Sequence, residues 1–241
     1  MGTPRDEPGA ATARPSPAYG MFRKVALFSM AILVPVLVTG FVAWPRSPVD
    51  LGKADNMQSS GLYAAWAAGE VAVLVRHAER CDRSSNPCLD DKNGITEVGR
   101  QVSQQVGQAF ATLGLGNTDL ITSPLVRTVQ TAQYMFGKPI TVQDWVYNCD
   151  TRLLADIQQH KVAQRNLLLV THSGCISNLE SQLDFPHARA ADYTSALFIV
   201  VGAGGKAKVL GTLNAEEWAG VLAKRAATLK VTHADKATLK M

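Results

Sequence analysis

Three short stretches bring together residue types that handle phosphoryl groups: Arg76-His77, Ser123 with Arg127 four positions on, and His172 within Thr171-His172-Ser173-Gly174. Two arginines can clamp a tetrahedral oxyanion with bidentate guanidinium forks, and helix N-termini add free N–H groups. A neutral imidazole can attack phosphorus and carry the phosphoryl group covalently, which splits hydrolysis into two steps. Flanking arginines disfavour the imidazolium and keep such a nucleophile deprotonated near neutral pH. Ser123, Arg80 and Arg83 are candidate substrate-binding residues; for the two arginines, on the loop after His77, a solvated charge run is the competing reading. His160, His187 and His233 have no partner at useful spacing and read as surface residues.

The elements that must position these residues follow from patterning. Apolar runs of strand length occupy 71–75, 120–121, 140–142 and 167–170, with a terminal pair at 196–201 and 207–210 about a Gly202–Gly205 turn. Helices are predicted at 57–68, 97–113, from Pro124 to Met135, and at 152–163, 175–184 and 216–227, with Val98, Val102, Val106 and Phe110 sharing one face of the second. Strands alternating with helices imply an α/β fold, a three-layer αβα domain with a mainly parallel sheet. Such sheets bind ligands beyond the carboxyl ends of their strands, which is where all three stretches fall. The glycine-rich turn lacks the Lys-Ser/Thr of a phosphate loop and is read as a hairpin.

Of the 241 residues, 24 are Lys or Arg and 20 are Asp or Glu. From Val25 to Trp44 no residue is charged, a stretch of 20 that spans about 30 Å as a helix, one hydrocarbon core. Arg23 and Lys24 precede it, so the expected organisation is a disordered cytoplasmic tail (1–24), a transmembrane anchor or signal segment (25–44), a linker (45–56) and an exported domain (57–241). Trp44 stands where an interfacial aromatic would. Without Arg5, Arg14, Arg23, Lys24, Asp6 and Glu7, residues 45–241 keep 20 basic and 18 acidic groups, a net of +2, which argues against a nucleic-acid partner.

The stretches LVRHAE (74–79), SPLVRTVQTA (123–132) and VTHSG (170–174) together resemble the histidine phosphatase (phosphoglycerate mutase-like) superfamily. The resemblance implies His77 as the nucleophile, Arg76 and Arg127 as phosphate clamps and His172 as the second phosphate-binding histidine, with no metal or other cofactor. Residues 76–96, PITVQDWVYNC (139–149) and THSGC (171–175) are similar to the periplasmic lipopolysaccharide core heptose(II)-phosphate phosphatase subfamily. That implies a phosphorylated sugar or lipopolysaccharide core substrate, the inner membrane as partner through 25–44, and a periplasmic site. The alternatives are the same chemistry on another exported sugar phosphate or a phosphoprotein, or a non-catalytic phosphate-binding domain.

One departure concerns the acid that protonates the leaving group. The position expected from the superfamily falls near Tyr147–Asp150, where no glutamate stands, and the residue after His172 is Ser173 rather than Asp. Asp150 is the candidate general acid, with Asp144 and Glu79 beside it. The four cysteines lie inside the matching stretches, and their spacing opposes a zinc site. Of three possible disulfide connectivities, Cys81–Cys88 with Cys149–Cys175 is favoured, in a structural role.

Overall fold

Val71–Arg76 (β1) opens with five successive apolar residues, the pattern of a strand covered on both faces. The computed structural model describes residues 17–43, 47–202 and 206–238, in two units divided between Pro45 and Arg46. In the second unit β1 lies inside a six-stranded sheet of order β3-β2-β4-β1-β5-β6. Thr118–Thr122 (β2), Thr141–Val142 (β3) and Asn166–Thr171 (β4) run parallel with β1, while Ala196–Val201 (β5) is antiparallel to β1 and Ala207–Leu213 (β6) antiparallel to β5. The sheet is thus mixed and mostly parallel, in three α/β layers.

Alternate residues of β1 feed two cores. Val71, Val73 and Val75 pack with Val106, Phe110, Ala132, Phe198 and Trp218, under Glu97–Leu113 (α4), Val126–Phe136 (α5) and the long terminal helix Trp218–Thr238 (α8). Ala72 and Leu74 face Leu153, Ile157, Ile176 and Leu179 of Leu153–His160 (α6) and Ser173–Gln182 (α7). Each buried aliphatic side chain stabilises the fold by roughly 1.5–3 kcal/mol. The α4–α5 contact is close because a Cβ on Gly107 would fall 1.8 Å from the Met135 carbonyl oxygen.

Several expectations are corrected. The helix predicted at 57–68 breaks at Gly61 (φ +80°) into Asn56–Ser59 (α2) and Leu62–Ala67 (α3). Pro124 precedes α5 rather than opening it, since Leu125 is the extended residue before the helix. On α4, Val98 is 42% exposed while Phe110 is fully buried. A spacing of four overshoots a helical turn by about 40° each time, so three steps carry Val98 off the buried face. Residues 47–56, expected as a linker, are packed: Leu51 is fully buried, and its N–H donates to the Thr212 carbonyl (2.8 Å) while Thr212 N–H donates to Val49 (2.8 Å). Gly211 (φ +149°) makes room, because a Cβ there would lie 2.3 Å from the Val49 oxygen.

Among the described residues of the first unit there is one helix, Pro17–Ala43 (α1), which takes in the end of the expected tail. Its apolar side chains from Leu27 to Phe41 are exposed, and Thr39 Oγ1 donates to the Pro35 carbonyl (2.7 Å). Among the described residues no helix is long and apolar enough to cross a membrane. Residues 1–16 of the expected tail, Trp44, positions 203–205 of the glycine-rich turn and the His233 side chain lie outside the described residues.

Candidate active site

The ladder between β1, β4 and β2 continues one residue past the strands and sets the site. His77 N–H donates to Thr171 O (2.9 Å), and Ser123 N–H to Val170 O (3.0 Å). His77 and Ser123 are thereby buried beside His172, the extended residue before α7. Arg127 is set on the first turn of α5, where Thr131 Oγ1 accepts from Ala78 N–H (2.9 Å) and donates to the Arg127 carbonyl (2.6 Å). The strand-end residues and the arginine helix therefore share one anchor.

The hydrogen bonds define which imidazole nitrogen is free. His77 Nδ1 lies 2.8 Å from the Ala78 carbonyl, which only accepts, so the proton is on Nδ1. Arg127 Nε donates to His77 Nε2 at 3.2 Å, so that nitrogen presents its lone pair toward the guanidinium. The His77 and His172 rings are 5.4 Å apart, edge on. Arg127 also reaches His172 Nδ1 (3.4 Å), which leaves the His172 proton on Nε2, 2.8 Å from Ser123 Oγ. Ser123, expected as a substrate ligand, is hydrogen-bonded to His172.

Both imidazoles are neutral at physiological pH. Burial drives the His77 value down to about 3, with Arg127, His172 and Arg76 adding to it and the Ala78 carbonyl opposing. Burial also takes His172 to about 4, helped by Arg127 and Arg80. Arg76 donates through Nη1 to the Ala191 carbonyl (2.6 Å), and its guanidinium lies 3.9 Å over the Tyr193 ring. Its Nε is buried without an acceptor. An orphan N–H of this kind costs about 1–3 kcal/mol and gains most from an anion.

The remaining expected residues divide. Arg80 forks onto Asp82, bonding Oδ1 through Nε at 2.7 Å and Oδ2 through Nη2. Its charge still acts on Arg76, Arg127 and His172, and that of exposed Arg83 on Arg76 and Arg127, so both border the site. Asp150 is not brought to the histidines. It accepts from the Arg152 N–H (2.8 Å) and pairs with the Arg152 guanidinium (3.5 Å) on the surface. An aspartate two residues before a backbone N–H closes this local turn more readily than it projects toward a distant ring. His160 is exposed but stacks on Trp145 at 4.4 Å. Both disulfides are present as Cys81–Cys88 and Cys149–Cys175, with Cα separations of 5.1 and 4.8 Å. Tyr193 and Tyr147, whose rings lie 5.7 Å from His77 and 5.6 Å from His172, were not singled out by spacing because aromatic residues carry no motif of their own there.

Residues 72–146 match the family model described as histidine phosphatase superfamily (branch 1). The chain carries a histidine phosphatase superfamily domain. Over 110 residues this histidine phosphatase domain is 41% identical to the lipopolysaccharide core heptose(II)-phosphate phosphatase of Escherichia coli O139:H28 (strain E24377A / ETEC), and equally to that of strain K12 / DH10B. The match covers 44% of this chain and 54% of each relative, so the chain spans about half the length of the curated relatives it matches. Among solved structures, the protein histidine phosphatase SixA complexed with tungstate is 13% identical, with a TM-score of 0.50 over 60% of this chain and 97% of its own. That likeness is one of fold.

Proposed function

We propose that this protein is an exported phosphomonoesterase working through a phosphorylated His77. The observation that carries the reading is the pair of neutral imidazoles bridged by Arg127 next to the unpartnered Arg76 Nε. In the first step the His77 Nε2 lone pair forms a bond to phosphorus as the ester oxygen leaves. Arg127 and Arg76 hold the equatorial oxygens, on which charge is greatest in the transition state. Water then attacks the phosphohistidine, releasing phosphate and restoring the imidazole.

The substrate we assign is phosphate on a core heptose of lipopolysaccharide, supported by the names of the relatives that match at 41% identity. Segment 25–44 would anchor the chain in the inner membrane with the domain in the periplasm. Support comes from its 20 uncharged residues, the preceding Arg23 and Lys24, and the exposed apolar side chains of α1. The two disulfides fit an oxidising compartment. Protease treatment of Gram-negative spheroplasts tests this placement; protection of the domain would contradict it.

The enzymatic test uses the full chain in detergent with an aryl phosphate, in the presence of EDTA. Phosphate release that vanishes in His77→Ala, with acid-labile phosphate trapped on the wild type, is expected. No release with a leaving group that needs so little help would replace the enzyme reading with a phosphate-binding one.

A further inference from the structure

The two-step chemistry needs a proton at one place its four central residues do not supply. As the bond from phosphorus to the ester oxygen breaks, that oxygen becomes an alkoxide unless something protonates it. Among the described residues no carboxylate hydrogen-bonds or pairs with His77, His172, Arg76 or Arg127, and three that border the site or were expected in it are held elsewhere. Glu79 accepts from Thr96 Oγ1 (2.7 Å) and Asn86 Nδ2 (2.9 Å). Asp82 is held in the Arg80 fork, and Asp150 in its turn with Arg152. Each of these bonds favours the ionised carboxylate, which cannot donate.

Tyr147 is placed differently. Its ring meets His172 edge on at 5.6 Å with planes 82° apart, and 49% of the residue is exposed, so it stands at the open side of the histidine pair. Arg127 lies within electrostatic range of Tyr147, as it does of Arg80 and Asp82. The backbone on both sides is pinned. The Val146 carbonyl accepts from Thr171 Oγ1 (2.9 Å), and Cys149 is tied to Cys175 in the first turn of α7, while its carbonyl accepts from Asn178 Nδ2. A phenolic O–H can donate a hydrogen bond or a proton to an oxygen that enters the open side of the site.

We propose that Tyr147 is the proton donor for the leaving group, and this rests on the phosphatase reading above. As His77 Nε2 bonds to phosphorus, the Tyr147 O–H proton passes to the departing ester oxygen, which leaves as an alcohol. The phenolate then takes a proton from the water that attacks the phosphohistidine, so Tyr147 ends the cycle as it began. Tyr193, the other ring at the site, is committed as the platform under Arg76.

The test compares Tyr147→Phe and Tyr193→Phe with wild type in the full chain, on a nitrophenyl phosphate and on an alkyl phosphate. Loss of a general acid costs roughly 10²-fold or more where the leaving group is poor and little where it is good. Tyr147→Phe is therefore expected to lose about 100-fold in kcat/KM on the alkyl ester, less than about 5-fold on the aryl ester, and any wild-type fall in rate at high pH. Equal losses on both esters would mean that Tyr147 only binds or packs, and overturn the assignment. So would an unchanged alkyl rate, or the leaving-group signature appearing in Tyr193→Phe instead. If wild type turns over neither ester, the phosphatase reading itself fails and takes this proposal with it.

Discussion

The two ends of strands β1 and β4 treat buried polar groups in opposite ways. At the N-terminal end Asn166 is 1% exposed and fully used, its Oδ1 accepting from Val71 N–H (3.1 Å) and its Nδ2 donating to Trp66 O (2.9 Å). Trp66 in turn donates to the Gly114 carbonyl (2.8 Å). At the C-terminal end Arg76 Nε has no acceptor, two imidazoles are held neutral, and the charges of Arg80 and Arg83 act on both Arg76 and Arg127. One end is closed and serves the fold. The other keeps a buried donor without an acceptor, the kind of group that gains most from an anion.

Substitutions can break that contrast. His77→Ala should abolish turnover by about 10⁴-fold or more while leaving cooperative unfolding intact, as read by phosphate release and denaturation in parallel. Arg127→Ala should cost about 10²–10³ in kcat. Because Arg127 helps to hold the His77 value down, its removal should also move the acid limb of kcat/KM upward from the region near pH 3–4. A limb that stays in place would mean that burial alone sets it.

Stability should separate the two ends just as clearly. Asn166→Ala leaves the Val71 N–H without its acceptor and takes one of two donors from the Trp66 carbonyl, which keeps the Gly69 N–H, and should cost about 1–3 kcal/mol in urea unfolding with little change in turnover per folded molecule. Arg76→Met should do the reverse, removing a half-buried cation whose Nε is unpaired. It should leave stability unchanged or raised by about 1 kcal/mol while activity collapses. If Arg76→Met destabilised the protein as much as Asn166→Ala, the idea of an open polar end would be wrong.

The smallest effects lie in pH dependence. For His77 and His172 the folded value lies below the unfolded one of about 6.5, so the unfolded chain binds more protons in between; stability is full above pH 6.5 and lost as pH falls toward 4 and 3. Glu180, buried on α7 with Oε2 unpartnered, has the opposite sign. Burial raises it from 4.5 to about 7, so its contribution is full below pH 4.5 and lost as pH rises to 7. Glu180→Gln should stabilise the protein by on the order of 1–2 kcal/mol at pH 8 and hardly at pH 5, measured by urea unfolding at both.

Legibility in the sequence followed the range of the interactions. The residues after β1, β2 and β4 could be found because unbroken apolar runs mark buried strands and parallel strands deliver their ends to one edge. His77, Arg127 and His172 were placed together on that basis, 50 and 45 residues apart along the chain. Asp150 misled because nearness in sequence to a strand end does not fix where a side chain points once a backbone N–H two residues on competes for it. Leu51 and Val49 escaped notice because their partners, around Thr212, are at the other end of the chain. Tyr193 was hidden for a similar reason. It acts through Arg76, and an aromatic platform under a guanidinium has no spacing rule.

Gly107 has mechanical significance. Met135, whose carbonyl oxygen it meets, is eight residues along α5 from Arg127, a rise of about 12 Å. The helix that carries the clamp is therefore a lever resting on a fulcrum with no side chain. Any larger residue at 107 would lift the far end of that lever, shifting the guanidinium relative to two histidines that stay seated on the sheet. A change in the packing between two helices, out of reach of any substrate, would then retune the chemistry at the strand ends.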